Sequence, residues 1–170
     1  RSPDEILTEV LQEEDRLSRG RLKVFLGFAA GVGKTFEMLN EANRRAHRGQ
    51  DIVIGFVETH GRQATEDQIG ALEVVPRKRI EYRGAIFEEM DTDAVLRRGP
   101  AIALVDELAH TNVPGSEHEK RWQDVEVLLK RGISVLTTMN VQHLESLNDT
   151  VHDITGVWVR ETVPDSILRG

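Results

Sequence analysis

Residues 22 to 48 leave few architectures open, because a short apolar run, a cluster of glycines and a helical pattern follow one another without a break. Leu22 to Phe28 (LKVFLGF) reads as a buried strand, Gly27 to Gly33 as a glycine-rich turn, and about Thr35 to Arg48 as a helix closed by Gly49. A strand that passes through a tight turn straight into a helix is the building unit of parallel α/β proteins.

Within that turn Gly31, Val32, Gly33, Lys34 and Thr35 supply the G-K-T end of a Walker A phosphate loop, with a strand before it and a helix after it. Glycines let successive N–H groups face one centre, and the helix start adds free N–H groups and its positive dipole end. Lys34 would reach the β and γ phosphates of ATP as a mobile point charge, and the Thr35 hydroxyl would ligate Mg²⁺. The strict pattern asks for glycine at position 28, where Phe28 stands and the glycine is displaced to Gly27. The competing reading is a plain strand-to-helix turn with an incidental Lys-Thr.

Further apolar runs at Asp51 to Val57 and Ala101 to Val105, and candidate strands at Ile133 to Met139 and Val157 to Val159, alternate with helical patterns. The expected fold is α/β and P-loop NTPase-like, a mostly parallel, doubly wound sheet with helices on both faces, as a single domain over 1–170. A leading helix is expected from Ser2 (N-cap), Pro3 and Glu5, packing the apolar side formed by Ile6, Leu7, Val10, Leu11 and Leu17. The chain begins without Met and stops at Gly170, so it is expected to be a piece of a longer protein.

Four apolar residues followed by Asp106 and Glu107 give a Walker B arrangement, expected on a strand next to the phosphate-loop strand. Asp106 would hold Mg²⁺, usually through water, and Glu107 is the candidate catalytic residue that orients or deprotonates an attacking water. The alternative is an acidic pair capping a strand end. The polar stretch from Asp106 to Arg121 is read either as a nucleotide-sensing switch or as a surface connection. Its His110 and His118 show no close metal pattern and read as solvated loop residues. Two more polar clusters end strands: Glu58, Thr59, His60, Gly61 and Arg62, and Thr137, Thr138, Asn140, Gln142 and His143. Thr138 and Asn140 stand where many ATPases place a polar sensor, so both join the nucleotide-binding candidates. Arg62 and Arg121 are candidate arginine fingers, and Trp122 and Trp158 read as core or interface residues.

A formal charge of −7 argues against a nucleic-acid partner, because phosphate backbones are bound by clustered Lys and Arg. The local groups Arg44, Arg45, Arg48 and Arg77, Lys78, Arg79 read as a solvated helix face and a basic turn. Cysteine is absent, which removes disulfides and thiolate zinc sites and fits a reducing cytoplasm. No apolar run approaches the roughly 20 residues of a membrane-spanning helix.

The strings LKVFLGFAAGVGKTFEML, VIGFVETHGR, DELAHTNVPGSEHEKRWQDVE and NVQHLESLND resemble the amino-terminal cytoplasmic domain of the KdpD family of osmosensitive potassium-transport sensor histidine kinases. The resemblance spans roughly Pro3 to Ser166. The displaced glycine is shared with that family, whereas Ala30 stands where the family often has Pro. The resemblance implies a regulatory ATP-binding input domain in a two-component system. It would lie in the cytoplasm ahead of other domains of the same sensor kinase, which is anchored in the bacterial inner membrane and signals to a response regulator. ATP at this domain would tune the balance of kinase and phosphatase output, with at most slow hydrolysis. The rival reading is a free-standing small P-loop kinase or ATPase.

Overall fold

The computed structural model describes residues 2–27, 32–140 and 157–161. Among the described residues, five helices and eight strands follow in the order α1 (Pro3–Ser18), β1 (Leu22–Gly27), α2 (Val32–His47), β2 (Ile52–Phe56), α3 (Gln63–Ile69), β3 (Glu73–Val74), β4 (Lys78–Tyr82), β5 (Ala85–Glu89), α4 (Thr92–Arg98), β6 (Ile102–Val105), α5 (Arg121–Lys130), β7 (Ser134–Asn140) and β8 (Val157–Glu161). Six strands form one sheet in the order β3-β2-β6-β7-β1-β8. Every pairing within it is parallel.

Strands β1, β2, β6 and β7 are buried on both faces of this sheet, which is why they read as near-continuous apolar runs. On one face Leu22, Val24, Val53, Ala103, Val105 and Val135 pack with Val95 of α4 and with Val125, Leu128 and Leu129 of α5. On the other, Phe25, Ile52, Ile54, Leu104 and Leu136 pack with Met38, Leu39 and Ala42 of α2, flanked by Ile69 of α3. Strand alternation sorts these residues between the two cores. Each large aliphatic buried this way contributes about 1.5–3 kcal/mol relative to an exposed position. The doubly wound α/β expectation holds at this level.

Three expectations are corrected. The leading helix forms, with Ser2 Oγ accepting the Glu5 N–H at 3.2 Å. Its apolar stripe does not pack, however: Ile6, Leu7, Val10 and Leu11 are 48–57% exposed. Among the described residues, the two core clusters are built from the sheet with α2, α4 and α5, flanked by Ile69 of α3, and include none of these four residues. The stretch between β2 and β6 is not purely helical either. It contains the antiparallel β4–β5 hairpin, closed by Arg83 and Gly84 at φ 50° and 78°. Lys78 and Arg79 belong to that hairpin rather than to a turn. Finally, the strand leading to Asp106 is not next to β1, because β7 lies between them.

The chain leaves β1 through α2, passes over β7 and β6 to β2, and later returns to fill the gap with β6 and β7. The helices that follow β1 and β6, α2 and α5, therefore sit on opposite faces. A crevice opens at the carboxyl ends of the strands at such a reversal, which is where ligands of open α/β sheets bind.

Candidate functional site at the strand ends

Register sets the depth of each side chain in the crevice. Val105, the last residue of β6, pairs with Thr137, so Thr138, Met139 and Asn140 of β7 extend past the end of β6. The backbone beyond β6 stays pinned on both sides, with Asp106 N–H donating to Phe56 O at 2.7 Å and Leu108 N–H donating to Thr138 O at 2.9 Å. Between these anchors Glu107 takes a left-handed conformation at φ 58°, a rare one for a residue with a side chain.

The Asp106 carboxylate, 1% exposed, is the focus of the site. Thr35 Oγ1 donates to Oδ2 at 3.0 Å, the Glu58 N–H donates to the same oxygen at 3.0 Å, and Thr138 Oγ1 donates to Oδ1. Burial pushes this carboxyl above the usual carboxylate range, against the three donors that favour its ionised form. The Thr138 hydroxyl also accepts the Glu107 N–H at 3.0 Å, fixing the first two residues after β6. A cavity of about 220 Å³ lies beside them, lined by Lys34, Thr35, Asp106, Glu107, Thr138 and Asn140 together with His60, Ala109, His110 and Met139.

Of the sequence-derived site residues, Lys34, Thr35, Asp106, Glu107, Thr138 and Asn140 therefore meet in one cavity. Val32 and Gly33 form the first turn of α2, whereas Gly31, Gln142 and His143 lie outside the described residues. Arg62 is exposed at the start of α3 and is not among the residues lining the cavity.

Arg121 is not a finger. It is 1% exposed, and its Nη1 donates to Asp106 O while its Nη2 donates to Glu89 Oε1, each at 2.9 Å. Its guanidinium also lies 3.9 Å from the centre of the Phe56 ring. Burial weakens its hold on the proton, opposed by Glu89 and Glu107. Arg121 thus supports the Asp106 backbone from behind the cavity.

Sequence reasoning missed Glu89, the buried end of β5. It accepts from Arg121, from the Val113 N–H at 2.7 Å and from His110 Nε2 at 2.9 Å. A carboxylate only accepts, so Nε2 is the donor in this bond. His118 likewise meets Asp124, Nδ1 to Oδ1 at 2.7 Å, and Asn112 Nδ2 bonds the same side chain at 2.9 Å. The solvated reading of the two histidines is thus corrected, since each holds a carboxylate that organises the loop. Trp122 packs against the core as expected. Nothing in the string around Glu89 marks it, because its partners lie on a loop more than twenty residues away.

A family model described as the osmosensitive K⁺ channel His kinase sensor domain, KdpD, matches residues 18–170. The chain belongs to this family. It is 57% identical over 163 residues to the sensor protein KdpD of Escherichia coli K12, and 56% identical over 151 residues to that of Mycobacterium tuberculosis. These alignments cover 96% and 89% of the chain but only 18% of either relative. A putative sensor protein KdpD of Synechocystis is 55% identical over 150 residues, which is 40% of that protein. The family's sensor-domain segment thus recurs within proteins of quite different length. Among the described residues, no helix is long and apolar enough to cross a membrane.

Proposed function

We propose that this domain binds MgATP as the regulatory input of a two-component sensor histidine kinase in potassium and osmotic signalling. The convergence of the Thr35 and Thr138 hydroxyls on the buried Asp106, in a cavity that also holds Lys34, carries the reading. That cavity matches a phosphate chain better than a whole nucleotide, so the base would lie outside it. The start of α2, from Val32 and Gly33 to Lys34, would add main-chain N–H donors of the kind a Walker-type P-loop uses.

The donor set fits Mg²⁺. The Thr35 hydroxyl and the Asp106 carboxylate are hard oxygen donors 3.0 Å apart, close enough to belong to one ion's shell, directly or through one of its waters. Bound there, the ion would neutralise phosphate charge. Lys34 would fix the phosphates, Thr138 would hold Asp106 and the Glu107 backbone in register, and Asn140 would offer an amide to the terminal phosphate. Glu107, with its carboxylate at the cavity, is the group to orient a water, and hydrolysis would be slow because Arg121 is held behind the site.

The output follows from the wiring of the loop. Residues 106–121 join the cavity to Glu89 and so to the β4–β5 hairpin, and nucleotide would bias the arrangement that other domains of the sensor kinase read. Within the longer protein this would be a cytoplasmic domain of a membrane-anchored kinase acting on a response regulator. Titration calorimetry with MgATP tests the reading. Lys34→Ala should weaken binding at least about tenfold while leaving the thermal melt unchanged, and unchanged affinity would overturn it.

A further inference from the structure

The segment after β2 brings His60 to the cavity in a strained turn. His60 and Gly61 both have positive φ, 53° and 70°, and the Arg62 N–H donates to Thr59 O at 3.1 Å, the geometry of a tight type I′ turn. Asparagine and glycine fill such turns most readily, so a histidine here is set in a costly conformation that its surroundings must hold. They do so at two points. The Glu58 N–H donates to the Asp106 carboxylate at 3.0 Å, and the Glu58 carboxylate accepts the His60 N–H at 3.1 Å. The turn is thereby tied to the same aspartate that Thr35 and Thr138 hold.

The tie aims the His60 ring at the cavity, which it lines. Its Nε2 lies 3.8 Å from Glu107 Oε1, within electrostatic reach but too far for a hydrogen bond. Glu107 is itself held left-handed, so two strained residues that both line the cavity stand side by side. Phosphates seated on Lys34 and Thr35 and extending toward Asp106 would end between them. There the Glu107 carboxylate would repel the last phosphate, and the imidazole would be the N–H donor that offsets it.

We propose that His60, in addition to Asn140, recognises the terminal phosphate of the bound nucleotide, leaving Glu107 for that phosphate when a triphosphate is present and resting beside Glu107 when only a diphosphate is. The proposal rests on the MgATP reading above and gives the site its preference for triphosphate over diphosphate. The flexible side chain moves while the turn stays anchored through Glu58.

Calorimetry on the 170-residue chain, with MgATP and MgADP titrated separately into wild type, His60→Ala and His60→Gln, tests it. Wild type should prefer MgATP. His60→Ala should lose about tenfold in MgATP affinity, as for a hydrogen bond to a charged group, with MgADP affinity unchanged within about twofold. His60→Gln, which keeps an N–H donor, should recover part of the loss. In proton spectra, the imidazole resonance missing from His60→Ala should move with MgATP and stay in place with MgADP. An unaltered affinity ratio in folded His60→Ala, or equal losses for both nucleotides, would overturn the assignment while sparing the nucleotide site. Failure of wild type to bind either nucleotide would overturn both. If His60→Ala does not fold, the His60→Gln ratio and the wild-type resonances decide.

Discussion

Thr35, in the first turn of α2, donates its hydroxyl proton to Asp106, which lies just past β6 and two strands away from the strand that feeds α2. Three donors meet this one carboxylate, and two of them are hydroxyls that can rotate to accept instead. Asp106→Asn therefore keeps most of the network and removes a charge that burial disfavours. Its melting temperature should stay within about 5 °C of wild type. Nucleotide affinity should lose its Mg²⁺ dependence, read by titration with Mg²⁺ and with chelator. A variant that still gains affinity from Mg²⁺ would remove Asp106 from the metal side.

Glu89 is the second buried anchor, and its loss acts elsewhere. Glu89→Ala leaves the Arg121 guanidinium buried without its carboxylate, which costs about 3–5 kcal/mol. Glu89→Gln keeps an acceptor and should cost about half as much. The Val113 amide, which donates to Glu89, should exchange its hydrogen faster in both variants. Protection equal to wild type at Val113 would show that the loop does not depend on Glu89.

The contrast between these two anchors shows what the amino-acid string carries. Lys34, Thr35, Asp106 and Thr138 were legible because each follows or ends an apolar run, and parallel topology brings such ends to one edge. The adjacency of their strands was not, since insertion of β7 between β1 and β6 is decided by long-range pairing. The β4–β5 hairpin escaped notice because KRIEY and AIFEE are half charged and Arg83-Gly84 lacks the usual Asn-Gly signal. Arg121 reads in the sequence as a candidate arginine finger, because its burial against Phe56 and Glu89 depends on contacts far apart in the chain.

The Lys23–Glu41 pair makes an acid-sensitive staple between β1 and α2. Lys23 Nζ lies 2.6 Å from Glu41 Oε1, and Arg45 adds a bond at 3.1 Å. Burial works to raise the Glu41 carboxyl, but Lys23 and then Arg45 outweigh it and hold the group below its ordinary value of 4.5. Above that value both folded and unfolded chains carry the charge, and the stabilisation is complete. As pH falls below it the unfolded chain protonates first, and the stabilisation drains away through the lower folded value. Urea midpoints from pH 7 to pH 3 should show the gap between wild type and Glu41→Gln closing below about pH 4.5. A constant gap would mean the pair contributes no linkage.

Gly20 is needed for space rather than conformation. A Cβ there would lie 2.0 Å from the Ile133 carbonyl oxygen, a backbone atom at the entry to β7 that has little room to retreat. Gly20→Ala should cost more than about 3 kcal/mol. Gly49→Ala, where φ is 89° and the surroundings are open, should cost only about 1–2 kcal/mol. The reverse order in chemical denaturation would show that the α1–β1 connection yields instead.

The exposed stripe of α1 gives the opposite kind of prediction. Leu7 and Leu11 have the spacing of core residues, yet both stand more than half exposed and belong to neither core cluster. Replacing either by Ser should change stability by no more than about 0.5 kcal/mol, as at an ordinary surface position. Leu39→Ala, in the fully buried face of α2, should cost about 2–5 kcal/mol. The comparison separates pattern from packing, since all three residues look alike in the sequence. A loss above about 2 kcal/mol at Leu7 or Leu11, measured on a dilute monomer, would place the stripe against the body of the domain and restore the packed helix that the periodicity implies.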